Sequence, residues 1–357
     1  MLLGLGKLLT FNKAANLFET FYVGGSFIFA NYEDQIGFLD TNRIAKWNGT
    51  QWSGFGSGMN NTVRSFAFDS FGVLHVGGDF TTANGVTVNY IAKWNGTQWE
   101  GLGSGMNNRV YSIAFDSSGV LHAGGRFSAA NGVTVNRIAK WNGTQWEGFG
   151  TGMNDYVYAI AFDSNDVLHA GGFFSTANGV TVNRIAKWNG TNWEGFGSGM
   201  NNYVFALAFD SSDVLHAGGS FTTANGVTVN RIAKWNGTNW EGFGSGMAGT
   251  VRAFAFDSSD VFHAGGSFTT ANGVTVNRIA KWNGTQWEGF GSGMNDSVNT
   301  LAFDSFGNLY VGGGFTTAGG IDALRTAIWN GSSWEKFVDA FFSIQVILPV
   351  GPRPLRP

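Results

Sequence analysis

Five histidines, His75, His122, His169, His216 and His263, recur at a fixed interval along the 357-residue chain. A ring of imidazoles invites a metal reading. Ligands must lie about 2 Å from a metal, however, and equivalent positions in separate units are too dispersed to converge on one ion. These histidines therefore read as amphipathic side chains packed between units with a bonded or wet polar tip. The turns at Asp69, Asp116, Asp163, Asp210, Asp257 and Asp304 faintly resemble calcium loops. They lack the alternating oxygen ligands and closing Glu of a strong site, so each Asp is expected to bond its own turn backbone. Asn48, Asn95, Asn142, Asn189, Asn236, Asn283 and Asn330 each begin Asn-Gly-Thr or Asn-Gly-Ser, formally glycosylation acceptors. A tight turn accounts for Asn-Gly without a glycan. Arg137, Lys140 and Glu147, with their copies, read as surface and inter-unit pairing. No nucleophile elbow, metalloprotease motif or phosphate loop is present, so catalysis, metal and cofactor are all unexpected.

The spacing of these residues is set by a larger repeat. The fourteen tryptophans fall in seven pairs, 47/52, 94/99, 141/146, 188/193, 235/240, 282/287 and 329/334. A Gly-Gly doublet precedes each pair, at 24–25, 77–78, 124–125, 171–172, 218–219, 265–266 and 312–313. Each unit reads as four short strands, typified by "VYAIAFD", "VLHAGGFF", "RIAKW" and "TNWEGFG". The Asn-Gly between the last two reads as a type I′ hairpin turn. A single four-stranded meander cannot bury both faces alone, whereas radial packing of such sheets does. The expected fold is all-β, a seven-bladed β-propeller with four antiparallel strands per blade. A β-solenoid is the structural rival, with shorter coils and no Asn-Gly hairpins.

The apolar strand ending in Gly-Gly ("VLHAGG"), the two aromatics flanking a turn and the Met that follows ("WNGTQWEGFGSGM") resemble the kelch-like propellers. The wording of the repeats is also similar to that in large secreted bacterial proteins and fungal cell-polarity surface markers. That resemblance implies a propeller over nearly the whole chain, and an extracellular or cell- or particle-surface location. The expected organisation is a propeller over 1–337 and a tail over 338–357. Residues 9–17 align with 301–309 through Leu9, Phe11, Asn16 and Leu17, and so would supply the first strand of blade 1. The apolar stretch "FFSIQVIL" of the tail would add a strand there and clasp the ring. The alternative is closure by face packing, with the tail docked elsewhere.

Near-identical units disagree most informatively around the start of the first strand. The start of the first strand reads "NTVRSF", "NRVYSI", "DYVYAI", "NYVFAL", "GTVRAF" and "DSVNTL". In a propeller this strand is innermost and its start lies at the channel mouth. The candidate ligand-binding residues are Arg64, Arg109, Tyr111, Tyr156, Tyr158, Tyr203, Phe205, Arg252 and Asn299. Aromatic and Arg side chains suit sugar or protein contacts, while drift at tolerant positions is the alternative. The first unit carries six extra residues in "IFANYEDQIGFLDTN", which brings Glu33, Asp34 and Asp40 as a candidate partner loop.

Composition narrows the function. The absence of cysteine excludes disulfides, thiolate zinc sites and a cysteine nucleophile. A net charge of -3 provides no basic stripe for nucleic acid, and no apolar run is long enough to span a membrane as a helix. The leading expectation is a non-enzymatic recognition or scaffold propeller that binds a glycan or protein. The second is an architectural surface or appendage subunit that self-assembles, and an enzyme is third.

Overall fold

The computed structural model describes residues 20–27, 29–31, 39–40, 42–48, 51–337, 339–340 and 344–350. Seven four-stranded antiparallel sheets form the blades of a closed β-propeller, and the described residues contain no helix. Blade 3 is representative. Val110–Phe115 is innermost, followed outward by Leu121–Gly125, Ile138–Trp141 and Trp146–Gly148.

The Gly-Gly doublet ends the second strand because two close approaches converge there. A Cβ on Gly77 would lie 2.6 Å from Cγ1 of Val110, which opens the next blade. A Cβ on Gly78 would strike the carbonyl oxygen of Thr62 in its own blade. The same contacts recur at Gly124 against Val157 and Gly171 against Val204. Each of these valines is fully buried.

The five histidines sit between blades. Each ring packs edge-on against a phenylalanine of the next blade: His75 on Phe115, His122 on Phe162, His169 on Phe209, His216 on Phe256 and His263 on Phe303. Their tips are bonded in two ways. Nδ1 of His75, His169 and His263 meets the carbonyl of Val73, Val167 and Val261, at 2.8–3.2 Å. Nε2 of His122 and His216 meets Asp116 and Asp210, each at 3.0 Å. The turn aspartates bond their own loops, as Asp69 does by accepting from the amides of Phe71 and Val73.

The two tryptophans of a pair are not equally buried. The second of each pair from blade 2 onward is buried, with Trp193 only 2% exposed, while its partner Trp188 is half-buried. In blades 2, 3, 4 and 7 the buried indole donates one blade back: Trp99 Nε1 to Phe55 O, Trp146 to Leu102 O, Trp193 to Phe149 O and Trp334 to Phe290 O. The turn between the tryptophans is also not the expected type I′ turn. Trp94 pairs with Trp99, leaving a four-residue loop in which Gly96 alone has positive φ. Asn95 Oδ1 accepts from the amides of Thr97 and Gln98, so the asparagine acts as a side-chain cap. The type I′ geometry belongs to the other Asn-Gly of the unit. Ala83 pairs with Val86, and Asn84 and Gly85 between them both have positive φ.

The ring closes through the tail. Ile344–Val350 pairs antiparallel with Thr20–Gly25 and takes the innermost place in blade 1. It behaves there as a first strand. Ile347 N donates to Thr300 Oγ1, as Ile113 N donates to Ser65 Oγ and Ile160 N to Ser112 Oγ. Residues 9–17, expected in that place, lie outside the described residues.

Two outcomes follow for stability. Trp193→Ala is expected to cost about 3–5 kcal/mol and Trp188→Ala clearly less, measured by urea denaturation; equal costs would contradict the burial difference. Burial pushes all five imidazoles below their usual pKa of 6.5, against the opposing pull of their carbonyl or carboxylate neighbours. The unfolded chain therefore takes up more protons as pH falls below about 6.5, so stability present above that pH is lost on acidification. Replacing His75, His169 and His263 by Tyr, the residue found in the same slot at Tyr22 and Tyr310, should flatten the fall in Tm between pH 7.5 and pH 5. A fall as steep as in the parent would refute this.

Candidate functional site

Every first strand carries an irregularity next to its buried anchor. In blade 3, Val110 pairs with Gly125 and Ser112 with Gly124, so Tyr111 is an extra residue without a partner. Such a β-bulge bends the strand and re-aims the side chain. The shift recurs between Val63 and Ser65, Val157 and Ala159, Val204 and Ala206, Val251 and Ala253, and Val298 and Thr300. In blade 1 it lies between Gly24 and Gly25, opposite Gln345.

The seven bulge residues, Arg64, Tyr111, Tyr158, Phe205, Arg252, Asn299 and Gln345, line one cavity of about 310 Å³. One comes from each blade. Six were candidates from sequence. Gln345 was missed because the tail was not aligned as a first strand, although "SIQ" can be set against "SVN" of 297–299.

Three neighbouring blades make an aromatic wall. Tyr111 and Tyr158 have ring centroids 5.1 Å apart, as do Tyr158 and Phe205. Tyr156 and Tyr203 do not line the cavity. They stand beside it, Tyr156 at 6.3 Å from Tyr158 and Tyr203 stacked at 5.7 Å from Phe205. Burial, with the surrounding tyrosines and Asp155, pushes the Tyr158 phenol up to about 12, so it remains a neutral hydrogen-bonding group.

The arginines have different surroundings. Arg64 makes a bidentate pair with the buried Asp79, at 2.6 and 2.7 Å, and lies 5.3 Å from the Tyr111 ring centre. Burial alone would lower its pKa, but the hydrogen bond and charge of Asp79 prevail and raise it. Arg109, outside the cavity, approaches the same carboxylate at 3.6 Å. Arg252 is exposed and lies 5.8 Å from the Phe205 ring centre.

Asp79, Arg126 and Phe173 were not foreseen. They follow the Gly-Gly doublet, where the units read Ser26, Asp79, Arg126, Phe173, Ser220, Ser267 and Gly314. That position varies as strongly as the strand start and was the available signal. Arg126 lies over Tyr156 at 5.1 Å, and Phe173 packs against Tyr203 at 4.3 Å.

The expected partner loop falls only partly within the described residues. Glu33 and Asp34 lie outside the described residues. Asp40 is in Leu39–Asp40, which pairs with Phe29–Asn31, and that strand also pairs with Asp339–Ala340. Blade 1 thus carries a three-stranded unit where blade 2 has only the hairpin Thr82–Ala83 and Val86–Thr87. Among the described residues no cluster of His, Asp or Glu is arranged to hold a metal.

No family model and no curated protein matches the chain. Solved structures do. The extracellular domain of a one-component system from B. thetaiotaomicron aligns with a TM-score of 0.54 and 14% identity, over 81% of this chain and 37% of that one. The WD40 β-propeller domain of Doa1 aligns at 0.53 and 14%, over 83% and 92%. The WD40 repeats of RRP9 align at 0.51 and 13%, over 80% and 81%. At such identities the likeness is one of fold: a β-propeller with WD40-like neighbours.

Truncating the two cavity arginines should separate their roles. Arg64→Ala leaves Asp79 buried with a poorer partner and is expected to cost about 1–3 kcal/mol. Arg252→Ala should stay within about 0.5 kcal/mol. Denaturation midpoints decide this, and an equal loss from both would refute the difference.

Proposed function

We propose that this protein is a non-enzymatic recognition or scaffold propeller that engages a glycan or protein ligand at the channel mouth. One observation carries the reading. Blades that share their core and turn residues differ at the bulge, and the seven bulge residues line one cavity. Drift would have no reason to place three aromatic rings in consecutive blades. The WD40 neighbours share a fold suited to presenting such a surface without chemistry. The kelch-like pattern, and the extracellular domain among the structural neighbours, fit an extracellular or surface location. Blade 1, with its additional strand, would orient the partner.

Assembly with other copies is the second reading, and it has its own observation. Phe71 and Phe306 are 86% and 65% exposed. They lie in turns between first and second strands, on the face opposite the cavity.

The test is a screen of glycans and protein partners against the parent and a Tyr158→Ala/Phe205→Ala variant. A genuine ligand should bind the variant at least about tenfold more weakly, or 1.4 kcal/mol, with circular dichroism unchanged. If every ligand found binds both equally, the channel-mouth reading is wrong. Association abolished by Phe71→Ser/Phe306→Ser, with no ligand at the mouth, would put assembly in its place.

A further inference from the structure

Two blades of the ring open with the same three residues. Blade 2 reads Thr62-Val63-Arg64 and blade 6 reads Thr250-Val251-Arg252. Their bulge arginines should behave alike, yet only one is neutralised. The residue after the glycine doublet is Asp79 in blade 2, and it binds Arg64 through both carboxylate oxygens. In blade 6 that residue is Ser267. Blade 6 also has Gly249 where blades 2 to 5 carry Asn61, Asn108, Asp155 and Asn202. The two blade 6 positions that correspond to Asn61 and Asp79 of blade 2 are therefore small and uncharged. Among the described residues no carboxylate forms an ion pair with it, and its guanidinium lies over the ring of Phe205.

Arg252 also has a defined place in the cavity. On one side the wall continues through Phe205, Tyr158 and Tyr111. On the other side stand the amides of Asn299 and Gln345. The opening thus has an aromatic arc and a polar arc, with the Asp79-paired Arg64 at one junction and Arg252 at the other. A guanidinium presents a planar fork that matches a carboxylate. Aromatic faces accept the apolar face of a pyranose ring, and amides and phenols suit its hydroxyls. The cavity of about 310 Å³ is at the small end of ligand sites.

We infer that the mouth selects a sugar bearing a carboxylate, with the acid on Arg252, the ring on Phe205 and Tyr158, and hydroxyls toward Asn299 and Gln345. This rests on the channel-mouth reading and names its ligand class. An apolar peptide anchor fits less well, because such anchors favour fully desolvated pockets and the polar arc opposes the rings here.

The experiment uses oligosaccharides of glucuronate, galacturonate and N-acetylneuraminate, each beside its carboxyl-reduced counterpart, and an acidic peptide. Binding is measured by calorimetry and saturation-transfer NMR. At least one acidic sugar should bind the parent about tenfold or more tighter than its reduced form. Arg252→Gln should remove that preference while weak sugar binding remains. Tyr158→Ala/Phe205→Ala should remove both. Lys187→Gln, on the outer part of blade 4 and paired with Glu194, should leave the preference intact. A preference lost equally in Lys187→Gln would mean general charge attraction and overturn the assignment. Equal binding of acidic and reduced sugars, dependent on Tyr158 and Phe205, would overturn the acid selectivity and keep the channel-mouth reading. Binding of the peptide alone, again dependent on these residues, would overturn the sugar and keep the site. No binding of any acidic sugar would overturn the inference, and the broader screen would then judge the mouth independently.

Discussion

The absence of a Cβ at the first glycine of each doublet makes the ring possible. Gly77 receives Val110 of the next blade, Gly124 receives Val157, and Gly24 receives Val63. Gly312 receives Ile344, so the same contact joins blade 7 to the tail strand. A methyl group at any of these places would overlap a side chain that is itself fully buried, and the blades would have to separate. Core packing tolerates little such overlap. The second glycine adds a constraint within the blade, because it meets the carbonyl just before the buried valine. The inner strand is thus held at the valine and resumes pairing two residues later. The residue between is the bulge. The recognition surface proposed for this protein therefore follows from the packing that closes the ring.

Much of the fold was legible in particular residues. The tryptophan pairs and glycine doublets marked seven units because each is tied to a repeated contact. The histidines and turn aspartates were legible for another reason: their partners lie within a few residues or one unit away. Other features depended on geometry that single residue types do not encode. Asn-Gly occurs twice in each of blades 2 to 6. Only the one between Ala83 and Val86 is separated by the two residues a type I′ turn requires, whereas Trp94 and Trp99 enclose four. Ring closure was read in part. Residues 341–348 were expected to add a strand to blade 1, where Ile344–Val350 pairs, but the innermost place had been given to residues 9–17 on four matching side chains.

The candidate site was legible as variation, not as geometry. Comparing units singled out positions on either side of the buried valine, but it did not distinguish them. The bulge separates them: Tyr158 and Phe205 line the cavity, and Tyr156 and Tyr203 stand next to it. A bulge is a property of pairing with the neighbouring strand, so it has no signature in one strand alone. The varied position after the doublet was hidden for a related reason. Asp79 lies fifteen residues from Arg64 in the chain, and only the pairing of the first two strands brings them together.

This division lets one scaffold carry chemically different blades. The side chains that hold blades together, the buried second tryptophan and the histidine against the next blade's phenylalanine, lie away from the cavity lining. The bulge residues are half-buried or exposed, so replacing one disturbs little of that packing. Where a bulge residue does become structural, a second residue is responsible. Arg64 is fixed because Asp79 is buried beside it, and Arg252, in the same local sequence, is not, because Ser267 stands there instead. The character of each blade at the mouth is thus set jointly by the bulge residue and the residue after the doublet. Two variable positions, brought together by one strand pairing, convert a nearly symmetric ring into a surface with an aromatic arc, a neutralised cation and an available one.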